Sequence, residues 1–123
     1  MIRYAINPCP KPRMTQRDRW AKRPAVVRYR EFCDAARAVG LTLPEDGFWL
    51  VFWLPMPACW SKAKRSRMRG EPHTQRPDLD NLIKAALDAI YQEDAHLWRG
   101  GAEKRWADDG AIDVCGLAEF ASD

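Results

Sequence analysis

The hydrophobic period changes several times along the chain, and each change marks a candidate element. "IRYAIN" (2–7) alternates Ile2, Tyr4 and Ile6 with Arg3 and Asn7, the period-two pattern of a half-buried strand. "PCPKP" ends it, because proline donates no ladder hydrogen bond. The basic, polar stretch that follows, up to Arg23, reads as loop. Pro24 suits a first helical position. From there Val26, Tyr29, Phe32, Cys33, Ala36 and Val39 recur at helical spacing until Gly40 offers a stop. "GFWLVFWLP" (47–55) is one apolar run, too short for a typical helix, and reads as a central strand covered on both faces.

The 22 residues of 56–77 show no period, and a connection of that length points to a functional or mobile segment. Over 79–92, Leu79, Leu82, Ile83, Ala86, Leu87 and Ile90 form one apolar stripe, with Asp80, Lys84 and Asp88 four apart on the polar flank. "AEKRW" and "AIDVCGLAEF" flank "ADDG", which predicts a closing hairpin. The order β-α-β-α-β-β predicts an α+β fold, a small mixed β-sheet with two helices packed on it, in a single domain over 1–123. A chain of 123 residues can bury a core of its own.

No apolar run approaches the ~20 residues that span a bilayer, and the N-terminus lacks the apolar centre of a signal peptide. A cytoplasmic location without membrane contact is expected. Cys9, Cys33, Cys59 and Cys115 form no C-x-x-C pair, so reduced, mostly buried thiols are expected rather than a zinc site or disulfides.

Charge alters the picture. Net charge is only +3, but residues 1–77 carry 16 Lys/Arg against 6 Asp/Glu, while 78–123 carry 4 against 11. A basic part of that kind attracts polyanions, nucleic acid first. The segment 61–76 holds Lys62, Lys64, Arg65, Arg67, Arg69 and Arg76 against Glu71 alone, and these six are the candidate DNA-binding side chains. Trp60 beside them is a candidate platform for an unstacked base or, alternatively, an aromatic tucked onto the core.

Directly after this basic segment stand Asp78 and Asp80. Two readings are open. Asp78 can cap the helix and Asp80 can favour its dipole, with Asp80–Lys84 and Lys84–Asp88 as ordinary i,i+4 pairs. Alternatively the pair holds a divalent cation. Glu93 and Asp94 have no local structural motive at a helix C-terminus, where acids oppose the dipole. Asp78, Asp80 and one acid from 93–94 would suit magnesium, which takes hard oxygen ligands, provided the chain folds back after the helix. Lys84 could then oppose charge on a phosphorane or steady an attacking hydroxide. His73 and His96 read as solvated surface histidines, although His73 could touch phosphate, and Gly100–Gly101 matches no phosphate loop.

"PDLDNLIKAALDAI", followed by "EDAHLW", resembles the RusA-type Holliday-junction resolvases, in particular the phage-borne branch with a longer basic segment before the motif. The resemblance is dense over 61–98 and loose at the first strand and helix. It implies a homodimer that cuts four-way DNA junctions by paired symmetric nicks, using Mg²⁺ or, in its place, Mn²⁺, and no small-molecule cofactor. It implies a bacterial or phage-infected cell, and roles in recombination and repair. It places the three metal-site aspartates at Asp78, Asp80 and Asp94 and the essential lysine at Lys84. Two departures from the family pattern are visible: Glu93 stands where the acidic pair is often Asp-Asp, and Pro77 stands where some members carry arginine. The alternatives are a metal-dependent nuclease without junction preference and a non-catalytic DNA-binding protein whose acids are caps.

Overall fold

A computed structural model describes residues 1–13 and 23–120. The chain runs β1 (Ile2–Tyr4), α1 (Pro24–Ala38), β2 (Phe48–Pro55), α2 (Lys62–Met68), α3 (Leu79–Ile90), β3 (Gly100–Ala107), β4 (Ala111–Gly116) and α4 (Leu117–Phe120). The stretch 14–22, expected as loop, lies outside the described residues. The fold is α+β, an open mixed sheet of four strands in the order β1-β4-β2-β3. Two of its pairs, β1–β4 and β4–β2, are antiparallel, and β2–β3 is parallel.

This order corrects the expected hairpin. The two strands flanking "ADDG" do not pair: β2 lies between them and bonds to both, Phe52 meeting Lys104 on one side and Ile112 on the other. A short turn favours a hairpin only when no longer apolar strand competes for both edges, and β2 is that competitor. The parallel β2–β3 pair requires a long crossover, and the segment carrying α2 and α3 supplies it. Gly100 and Gly101 open β3 because aromatic rings of β2 lie across them: a Cβ would stand 2.3 Å from the Phe48 ring at the first and 2.5 Å from the Trp49 ring at the second.

β2 is interior, as its composition predicts, but only one of its faces is covered. Phe48, Leu50, Phe52 and Leu54 are buried, whereas Trp49, Val51 and Trp53 are half-buried on the other face. That second face tolerates indoles because each N–H finds a carboxylate: Trp49 Nε1 donates to Glu103 and Trp53 Nε1 to Asp113, both at 2.8 Å. Asp113 is itself buried and accepts two bonds from the Arg3 guanidinium, at 2.8 and 3.0 Å. Burial pushes its carboxyl up, but the Arg3 and Trp53 bonds outweigh that and hold it below the usual carboxylate range.

On the covered face, α1 contributes Val26, Tyr29, Phe32, Cys33 and Ala36 to the core, five of the six positions its spacing predicts; the sixth, Val39, is the C-cap and exposed, and the chain turns away at a left-handed Gly40 with φ 74°. α3 is centred slightly off the predicted stripe. Leu82, Ala85, Ala86 and Ala89 are its buried residues, while Leu79, Ile83, Leu87 and Ile90 flank them half-buried. Three alanines at that centre allow α1 and α3 to pack closely on one another. None of the four cysteines forms a disulfide; Cys33 and Cys115 are buried, Cys9 is half-buried and Cys59 is exposed.

The segment 56–77 is not an aperiodic loop. It contains α2, which Ser61 caps by accepting from the Lys64 N–H at 3.2 Å. None of its residues is buried, so its sequence carries no apolar period. After α2 the chain runs along the free edge of β3, where Gly70 N–H bonds Trp106 O, Trp106 N–H bonds Glu71 O and His73 N–H bonds Lys104 O. The Lys104–Trp106 part of that edge is thereby closed to further pairing.

Candidate active site

α3 starts at Leu79 with Asp78 in the N-cap position (φ −68°, ψ 142°), and the Asp78 C=O accepts from Leu82 N–H at 3.2 Å. The capping expectation fails at the side chain: the Asp78 carboxylate makes no cap hydrogen bond and has no partner among the described residues. Asp80 is in the first turn, exposed, with Lys84 Nζ at 3.9 Å. The expected Lys84–Asp88 pair is absent among the described residues. Asp88 pairs instead with Lys11 at 2.5 Å, and the Lys11 N–H bonds Asn81 O at 3.2 Å.

Those two bonds lay residues 10–13 along α3 and create an open groove. One wall carries Arg76, Asp78, Asn81 and Lys84, the other Lys11 and Arg13. Lys11, Arg13 and Arg76 line it beside the Asp78 carboxylate, which has no partner among the described residues, and Lys84 lines its continuation along α3, an arrangement suited to a polyanion held beside a cation-binding group. Lys11 and Arg13 had no signal in the sequence beyond their charge, since nothing local tells a loop which helix it will follow.

Asp94 does not join this site within one chain. Among the described residues no three His, Cys, Asp or Glu gather closely enough to hold a metal ion. The 12 residues of α3, at about 1.5 Å each, put ~18 Å between its ends. Asp94 is half-buried past the far end, where its C=O accepts from Leu97 N–H at 2.9 Å. Glu93 is engaged locally, accepting the Ala95 N–H at 3.1 Å. His96 packs edge-on against Tyr91, with ring centroids 5.1 Å apart.

The six basic candidates divide. Arg65 ties α2 to Pro57 O at 2.9 Å, and Arg69 grips Asp108 through a forked pair at 2.7 and 3.0 Å. Lys64 lies 4.2 Å from the Trp60 ring centroid. Lys62, Arg67 and Arg76 have no side-chain partner among the described residues. Trp60 itself packs on Trp106 at 4.7 Å, anchoring α2 to β3. His73 is the clearest departure from expectation. It is buried rather than solvated, stacked 3.9 Å from Trp106, and its Nδ1 accepts from Gln75 N–H. Burial, and next the Lys104 charge, hold its pKa below the usual histidine value.

No helix of the described chain is long and apolar enough to cross a membrane. No curated protein and no solved structure matches the chain. The family model for the endodeoxyribonuclease RusA matches residues 6–115, from just after β1 into the last residues of β4, and so takes in every candidate site residue. The chain therefore belongs to the RusA family, endodeoxyribonucleases that hydrolyse phosphodiester bonds of DNA and resolve Holliday junctions.

Proposed function

We propose that this single-domain protein is a Mg²⁺-dependent homodimeric resolvase, acting on four-way junctions in recombination and repair in the cytoplasm of a bacterial or phage-infected cell. The observation that carries the reading is the Asp78 carboxylate, held at a helix start without a capping bond and facing a groove of cations. A side chain that only capped the helix would accept a backbone N–H there.

Asp78 and Asp80 fit a hard cation, since Mg²⁺ is held by one or two carboxylates together with waters and substrate phosphate. The chemistry a bound Mg²⁺ would supply is Lewis-acid polarisation of the scissile phosphate and easier deprotonation of the attacking water. Lys84, one turn beyond Asp80, opposes negative charge developing on the phosphate. Arg76, Lys11 and Arg13 grip the backbone beside it through phosphates, and Lys62, Lys64, Arg65 and Arg67 extend the basic surface along α2, whereas Arg69 beyond its end is held by Asp108. Two sites related by a two-fold axis make the paired nicks. The dimer also offers Asp94 a route to the site, because no three acids gather within one chain among the described residues.

The test is cleavage of a synthetic four-way junction, a fork and a linear duplex, with Mg²⁺ and with chelator. Paired nicks in the junction alone, lost on chelation, are expected. Equal cutting of all three substrates would leave a nuclease without junction preference. Binding with no cutting at any metal concentration would leave a DNA-binding protein.

A further inference from the structure

Lys104 lies at the middle of β3, opposite Phe52, and reaches beyond the sheet edge to the strap that precedes α3. Its Nζ donates to Pro77 O at 2.7 Å and also to Gln75 O. Its own C=O accepts from His73 N–H at 3.0 Å, so side chain and backbone of one residue hold the strap at three points. No carboxylate pairs with Lys104 among the described residues, and a half-buried lysine whose ammonium bonds two neutral carbonyls is an unusual placement.

The location of those carbonyls gives the contact its meaning. Pro77 O belongs to the peptide group that enters Asp78. On the other side of Asp78, its own C=O is fixed by Leu82 N–H. The two peptide planes flanking Asp78 are therefore both anchored, one by Lys104 and one by the first turn of α3, while its carboxylate has no partner among the described residues. A side chain with fixed flanking peptides keeps only its own rotamer freedom, which is the preorganisation a ligand needs.

We propose that Lys104 is a positioning residue for Asp78, which sets the direction of that carboxylate and so the affinity of the site for a divalent cation. The inference rests on the reading of Asp78 as a metal ligand. Lys104 touches no substrate in this role; it acts through the Pro77–Asp78 peptide. Removing a residue that orients a ligand changes metal affinity by ~10–100-fold, and the lower figure is expected here because the bond is to backbone.

The experiment uses Lys104→Met, which keeps the stem and removes the donors, and Lys104→Arg, which keeps two donors of similar reach. Mn²⁺ binding is read by the loss of the free-ion electron paramagnetic resonance signal, in protein without DNA. Mg²⁺ titrations of junction cleavage run alongside. Lys104→Met should bind Mn²⁺ ~10-fold more weakly and need ~10-fold more Mg²⁺ for half-maximal cleavage, recovering at saturation. Metal-free junction binding should be unchanged, and Lys104→Arg should stay within about twofold of wild type.

Unchanged metal curves in Lys104→Met overturn the inference, as does a loss that saturating Mg²⁺ does not recover. If Lys104→Met does not fold, Lys104→Gln, which retains one two-proton donor, is judged by the same two outcomes. Asp78→Asn separates this inference from the reading beneath it. If Asp78→Asn leaves Mn²⁺ binding intact, the ligand assignment itself is wrong; if it abolishes binding while Lys104→Met does not weaken it, only the positioning role falls.

Discussion

Lys84 and Asp80 lie 3.9 Å apart on the exposed flank of α3, and geometry alone allows an ornamental ion pair. Exposed i,i+4 pairs contribute ~0.3–0.5 kcal/mol, so on that reading Lys84→Ala leaves folding and rate nearly intact. Facing a scissile phosphate, the same charge is worth ~3 kcal/mol of transition-state stabilisation, roughly a hundredfold in rate. We expect Lys84→Ala to slow single-turnover cleavage about a hundredfold at unchanged melting temperature; a rate within a few-fold of wild type would make it decoration. Asp80→Asn should abolish Mg²⁺-dependent cleavage while junction binding persists or tightens, since a ligand and a phosphate-repelling charge disappear together. Gel shift and cleavage on one preparation decide that. His73 gives a prediction in pH. Its folded pKa lies below the unfolded value of 6.5, so the unfolded chain takes up the proton first as pH falls. Stability is fully present above about 6.5 and declines below it. The urea midpoint of wild type should fall between pH 7 and pH 5 by more than that of His73→Phe. Parallel slopes in the two proteins would show that His73 is not responsible.

α2 is an element that its own sequence conceals, and its charges do not act alike. Arg69 is already neutralised by Asp108, whereas Lys62 and Arg67 are exposed and free of side-chain partners among the described residues. Removing one phosphate contact lowers the slope of log K against log salt by ~0.9 on duplex arms. Lys62→Ala with Arg67→Ala should therefore flatten the slope by about 1.8, while Arg69→Ala should change it little. A double variant with the wild-type slope would remove α2 from the DNA-binding surface. The helix itself escaped detection because nothing on it is buried. Periodicity records which face an element hides, and an element that hides none leaves no record. α1 and α3, each with one buried face, were legible to within a residue or two of their ends.

At the scale of the whole molecule, the separation of Asp94 from Asp78 and Asp80 becomes a test of assembly. If a dimer brings Asp94 of one chain to the pair of the other, Asp80→Asn and Asp94→Asn are each inactive alone. Mixed and allowed to exchange, they should form heterodimers with one intact site, and nicked rather than fully resolved junctions should appear. No activity in the mixture would mean that each site draws its three acids from a single chain. A heterodimer with one working site also distinguishes assembly from simple instability, because both variants should keep the wild-type mass in solution.

The sequence by itself determined the α+β class, the two periodic helices, the interior place of β2, and the acidic motif after a basic segment. These are local facts: a buried face imposes a period on the residues that supply it, and a motif is contiguous. Tertiary structure alone decided which strands are neighbours, because β2 offers two bonding edges and its sequence does not say who takes them. It alone placed Lys11 along α3, buried His73 on Trp106 and brought Lys104 to the carbonyl before Asp78. Each of these contacts joins residues far apart in the chain, Lys11 to Asp88 most of all. A lysine in an alternating strand looks the same to sequence reasoning whether it meets water or two carbonyls. What decides between them is the path of a segment some thirty residues away, fixed when the edge of β3 and the strap before α3 satisfy one another's hydrogen bonds.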